Sequence, residues 1–127
     1  EFFEDFFYSL GFGSLKISTP KEHDHFIAYT SQLAHVLSGA YVKTPSAMKH
    51  KGFSAGSFKD MTRVAKLNEE MWCELFMENK DFLINEIDGL IDRLLPYSEA
   101  LKSNDYKALK ELLTEGRIYK ERVEKEL

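Results

Sequence analysis

Seven aliphatic residues, Leu83, Ile84, Ile87, Leu90, Ile91, Leu94 and Leu95, recur at steps of three and four. That spacing fits a helix with a wide apolar face. The helix that follows carries Leu109, Leu112, Leu113, Tyr119 and Val123. Together the two faces exceed what a single helical hairpin can cover. Such a surplus calls for burial against further helices, in this chain or in a second copy. A self-contained monomeric bundle is the plainer alternative.

The remaining pattern from Pro20 onward is also helical. Thr19-Pro20-Lys21-Glu22 combines a capping hydroxyl, a proline at the first helical position and a glutamate three residues after the cap. A long helix is predicted from there to about Lys43, ended by Thr44-Pro45, because a residue before proline avoids helical torsions. Its apolar stripe reads Phe26, Tyr29, Leu33, Leu37, Ala40 and Tyr41. A polar, glycine-rich loop spans 46–56, a short helix runs from about Ser57 to Lys66, and another begins at Asn68, where Glu69 and Glu70 suit the positive helix end. The wide-faced helix covers about Lys80 to Leu101, and Ser103-Asn104 turns the chain into the last one. No strand pattern or internal repeat occurs after Pro20.

The first residues differ. Phe2 to Leu10 reads as a short aromatic helix, and Ser14-Leu15-Lys16-Ile17-Ser18 alternates like a half-buried strand. One helix and one strand do not make a domain, so residues 1–19 read as the end of an α/β domain whose remainder lies elsewhere. The start on Glu1 suggests a piece of a longer chain.

Composition narrows the functional classes. With 17 basic and 21 acidic side chains the formal charge of the 127 residues is -4, which gives no electrostatic reason to expect nucleic acid. Charged residues make up 30%, and no apolar run approaches the roughly 18 residues of a membrane span. The acidic start does not resemble a signal peptide, and Cys73 alone cannot form an intrachain disulfide. A cytoplasmic protein is expected.

Several polar residues are candidates for chemistry. Asp24, Ala28, Ser31 and His35 follow a spacing that returns to one helical face, opposite the Phe26/Leu33/Leu37 stripe and over roughly 16 Å. This ladder is either a ligand wall with a small residue at its middle or a solvated face. His23-Asp24-His25 invites a metal reading, including a phosphohydrolase of the histidine-aspartate type. Adjacent helical residues diverge by about 100°, however, so no metal site is expected. Asp60 and Arg63, three apart, can pair on a helical face; they follow Gly56, whose bare backbone can approach an anion. An arginine fork matches a carboxylate bidentately. Trp72 suits a core or a lid over a ring-shaped ligand.

Read in order, His23-Asp24, Ser31-Gln32-Leu33-Ala34-His35, Gly52-Phe53, the run Gly56 to Ala65, Met71-Trp72 and Asn79-Lys80 resemble the C-terminal helical domain of the prephenate dehydrogenase family. The resemblance spans nearly the whole chain. It implies an all-α dimerisation and substrate-binding domain, of the kind seen in 6-phosphogluconate dehydrogenase C-terminal domains, over residues 20–127. Residues 1–19 would then be a remnant of a Rossmann domain that binds NAD or NADP. The implied activity is oxidative decarboxylation of prephenate to 4-hydroxyphenylpyruvate in tyrosine biosynthesis. Arogenate is the alternative substrate, and a non-catalytic helical interaction module is the competing reading.

The resemblance also implies residue roles. Arg63 would grip a substrate carboxylate, with Asp60, His23 and Asp24 in support and Gly56 lending backbone approach. Ser31 and His35 would face the other end of the substrate, and His35 would bear on tyrosine as an inhibitor. Trp72 would reach into the site of the neighbouring subunit of a homodimer. The catalytic base would lie in the cofactor domain, so no catalytic residue is expected in these 127. Two departures stand out. Ala34 replaces the proline common in the family before the histidine, which implies an unkinked helix and a different aim for His35. No ACT-type regulatory domain is expected after the last helix.

Overall fold

A computed structural model describes residues 19–53 and 55–126. The helix read in Phe2–Leu10 and the strand read in Ser14–Ser18 lie outside them. The described residues are helical, with no strand among them. They fall into two compact units, one ending at Ile84 and the other spanning Asn85–Leu127.

The first unit opens with α1 (Pro20–Ile27), continues through a widened π turn (Ala28–Gln32) and runs on as α2 (Leu33–Val42). Thr19 caps it as expected, its hydroxyl accepting the Glu22 N–H at 3.1 Å. The helix ends at Val42, ahead of Thr44-Pro45. The π turn lies outside the regular periodicity: the Leu33 N–H reaches back five residues to the Ala28 carbonyl. One extra residue per turn rotates everything downstream by about 100° relative to a regular helix.

The observed faces differ from those expected. Ala28, placed on the polar ladder, is fully buried, and Gln32, Leu33 and Ser38 are buried with it. Phe26 and Tyr29, placed on the core stripe, are half exposed at 50% and 56%. Ala34 sits in continuous helical backbone, but the widened turn immediately before it means that the helix is not the uniform one expected.

After α2, Pro45–Lys49 forms a 3-10 turn, and Gly52 takes a left-handed φ of 89° as the chain reverses, the Phe53 N–H meeting the His50 carbonyl at 2.7 Å. α3 (Gly56–Thr62) passes into a 3-10 turn at Arg63–Ala65, and both pack against α2. α4 (Glu69–Glu78) starts where expected, Asn68 accepting the Met71 N–H at 3.1 Å. Asn79 separates it from α5 (Lys80–Lys102), whose Leu83 is buried.

In the second unit α5 meets α6 (Tyr106–Lys125) through a turn with paired caps. Asn104 is left-handed at φ 55°, the Asp105 N–H returns to the Ala100 carbonyl and the Asn104 N–H to that of Leu101, a Schellman closure. The Asp105 carboxylate then caps α6 by accepting the Ala108 N–H at 3.0 Å. The Tyr97 hydroxyl donates to the Leu112 carbonyl at 3.5 Å. Ile91, Leu94, Leu95, Leu113, Tyr119 and Val123 remain 49–59% exposed, so the apolar surplus is not covered among the described residues. No helix among the described residues is long and apolar enough to cross a membrane.

Ser38 is 2% exposed, and its hydroxyl has no hydrogen-bond partner. An unpaired buried hydroxyl costs about 1–3 kcal/mol. Ser38→Ala should therefore leave the melting temperature unchanged or raise it. Ser38→Leu should lower stability by about 1–3 kcal/mol through overpacking. Thermal unfolding followed by circular dichroism compares the two.

Candidate functional site

The site is assembled where the π turn and α2 face α4. Inside the widened turn, Gln32 has no apolar role to play at 4% exposure. Its amide nitrogen donates to the Leu75 carbonyl at 3.3 Å, and its oxygen accepts from the Asn79 side-chain amide at 2.9 Å. Leu75 is in the last turn of α4, where carbonyls lack helical partners. The backbone N–H of Asn79, which would serve Leu75 in a continuing helix, turns instead to the Phe76 carbonyl. The second N–H of the Asn79 side chain reaches the Asp24 carbonyl at 2.8 Å.

This framework carries two of the expected residues to each other. The His35 and Trp72 rings stack with centroids 3.9 Å apart and planes 27° from parallel, and Phe76 tilts against the indole at 5.7 Å. The His35 Nδ1 lies 2.8 Å from the Ser31 carbonyl. A carbonyl only accepts, so Nδ1 carries the hydrogen and Nε2 is left for a ligand. Ser31, His35 and Trp72 are all partly buried. Trp72 thus lies against the histidine of its own chain.

The segment expected to bind a carboxylate is more open. Gly56 begins α3, and a side chain added there would meet no atom within 4 Å, so space stands beside its backbone. His50 stacks on Phe58 at 4.6 Å and holds the preceding loop to α3. Asp60 and Arg63 are exposed, and no ion pair joins them. The α-helix stops at Thr62 and Arg63 opens a tighter turn, which changes the angular step the pairing required. The guanidinium is consequently unspent. The Arg63–Ala65 turn packs against α2, the helix that holds His35.

His23 and Asp24 approach to 3.5 Å at the exposed start of α1. His25 instead stacks between Phe26 and Phe82, with centroids at 5.4 and 5.2 Å. Among the described residues no group of three or more histidine, cysteine or acidic side chains is placed to hold a metal ion. Ser31, His35 and Trp72 are gathered, Gly56 and Arg63 are carried on the segment packed beside them, and His23, Asp24 and Asp60 stay at the rim. Gln32 and Asn79 were not singled out as site residues from the sequence. Their signal was weak: an amide inside an apolar run and another between two helical patterns.

The described residues thus form an all-helical fold with an aromatic–imidazole wall, a clasped amide pair and an exposed arginine. Residues 19–115 match the family described as prephenate dehydrogenase, dimerization domain, and the chain belongs to that family. A cyclohexadienyl dehydrogenase of Zymomonas mobilis is 32% identical over 107 residues, covering 80% of this chain and 36% of that protein. The prephenate dehydrogenase of Bacillus subtilis is 29% identical over 89 residues, covering 64% and 24%. The structure of prephenate dehydrogenase from A. aeolicus in complex with hydroxyphenyl propionate and NAD+ aligns with a TM-score of 0.71 at 30% identity, over 87% of this chain and 40% of that one. The chain therefore spans well under half the length of these relatives.

Removing the imidazole uncovers one face of the indole. Trp72 is the single tryptophan of the 127 residues, so His35→Ala should move the emission maximum toward the red. An unchanged spectrum in a folded variant would mean that the two rings do not stack in solution.

Proposed function

We propose that this chain is the substrate-binding and dimerisation half of a prephenate dehydrogenase, whose whole polypeptide oxidatively decarboxylates prephenate with NAD or NADP. The observation that carries the reading is the unpaired Arg63 beside the open backbone of Gly56, on a segment packed against the His35 helix, in a chain of this family. Arg63 binds a substrate carboxylate through its planar fork. His35 offers Nε2 to the other end of the substrate, with Ser31 next to it, and the same histidine distinguishes tyrosine as an inhibitor. Trp72 closes the recess over the ring and, in the dimer, also edges the site of the neighbouring copy. His23, Asp24 and Asp60 shape the field at the rim. The contribution of this half is orientation of the substrate and exclusion of water.

The described residues do not fit the nicotinamide cofactor. A dinucleotide cradle needs a strand leading into a glycine-rich helix start, and no strand occurs among them. The cofactor and the catalytic base belong to another part of the protein. The A. aeolicus relative, solved with NAD+, supports NAD as the acceptor. Arogenate is the alternative substrate, because the name of the Zymomonas mobilis relative specifies only a cyclohexadienyl compound. Homodimerisation is supported by the family description and by the exposed aliphatic residues of α5 and α6.

The reading is tested by cofactor reduction in the full-length protein, offering prephenate and arogenate with NAD and NADP. Arg63→Ala should raise KM about 10- to 100-fold, corresponding to the roughly 1.5–3 kcal/mol of a hydrogen bond to a charged group. Wild-type KM in that variant would remove Arg63 from the site. No reduction with any pair would leave a helical interaction module. Sedimentation tests the assembly: Leu94→Lys, at a side chain 53% exposed in the single chain, should shift the protein toward monomer while leaving its melting curve in the monomeric state intact.

A further inference from the structure

Gln32 and Asn79 take no part in the ligand chemistry proposed above, yet each of these side chains makes two hydrogen bonds. Their two amides make one chain of hydrogen bonds, from the Asp24 carbonyl to Asn79, from Asn79 to Gln32, and from Gln32 to the Leu75 carbonyl. The chain crosses from α1 through the π turn to the end of α4. Its donors and acceptors are used in one sense only: both N–H groups of Asn79 point toward the first helix, and the Gln32 amide points back to the fourth. An amide in either place cannot be rotated by a half turn without setting oxygen against oxygen.

The position of this chain matters more than its strength. Gln32 directly follows Ser31 and lies one helical turn before His35. Leu75 and Asn79 lie one and two turns after Trp72. The clasp therefore joins the two segments whose rings meet at 3.9 Å: it ends on the Leu75 carbonyl, which α4 leaves over, and on the Asp24 carbonyl just ahead of the π turn, which also accepts the Ala28 N–H. A widened turn is tolerated in a helix when something outside it holds the displaced backbone. Here Asn79 supplies that hold on one side of the turn and Gln32 on the other.

We propose that Gln32 and Asn79 are positioning residues for substrate recognition. Their clasp fixes the π turn against α4 and so sets the spacing and tilt of the His35–Trp72 wall. The inference rests on the substrate-site reading above and adds a specificity-determining pair to it. Neither amide touches the ligand, and their effect passes through His35 and Trp72. A sliding of α4 along the π turn would open the stack and turn the Nε2 of His35 away from its place.

The test uses Gln32→Glu and Asn79→Asp, which keep shape while removing the donors, and their double variant. Trp72 emission is read in the 127-residue chain and kinetics in the full-length protein, with circular dichroism melting on each. Each single variant should shift Trp72 emission to the red and raise KM for the cyclohexadienyl substrate about three- to tenfold, with kcat within about twofold. The double variant should be no worse than the poorer single one, because the two amides form one unit. Emission and KM unchanged in folded variants would overturn the proposal, and so would a lowered melting temperature alone. Should either charged variant fail to fold, Gln32→Met and Asn79→Ala repeat the test without a buried charge, and the same two readouts decide. If the wild-type protein reduces no cofactor, the functional reading fails, while the emission shift still decides whether the clasp sets the wall.

Discussion

A primary amide buried in a helical core must be answered on both its nitrogen and its oxygen, and in this protein that demand falls on Gln32. Leaving either end unmet would cost about 1–3 kcal/mol, a large share of the stability of a small domain. The answer comes from a carbonyl at the end of α4 and from the Asn79 side chain. Both are available only because α4 stops and α5 starts afresh at Asn79. The break between those helices, the widened turn in the first and the meeting of His35 with Trp72 are thus parts of one solution.

The helices themselves were legible because their ends are written in local chemistry. Thr19, Asn68 and the Thr44-Pro45 pair each act within three or four residues of sequence, and local signals of that kind survive whatever the tertiary structure does. The wide apolar faces of α5 and α6 were legible too, as a surplus that the described residues do not bury. The family resemblance is matched over residues 19–115.

The faces of the first long helix were not legible. A 3.6-residue template assumes that every turn is alike, and the π turn at Ala28–Gln32 shifts the phase for all that follows. Leu33 is buried as expected, but Ala28, at the first position of the turn, is buried too, while Phe26 ahead of it and Tyr29 within it keep half their surface. The Asp60–Arg63 pairing failed for a related reason, since the helix tightens at Arg63. The clasp was hidden differently. Gln32 and Asn79 are 47 residues apart in sequence, and hydrogen bonds over that distance leave no periodic trace.

The turn between α5 and α6 leaves the second unit no slack. Ser103, Asn104 and Asp105 close one helix and open the next with no residue to spare, since the Asp105 N–H seals the first while its carboxylate caps the second. A residue gained or lost there would strip a cap from one helix and rotate the other by about a quarter turn. Length variation among related chains should consequently accumulate elsewhere, most readily in the loop between α2 and α3. The hairpin behaves as a fixed-length hinge pin, and its apolar face keeps a constant phase for whatever it meets.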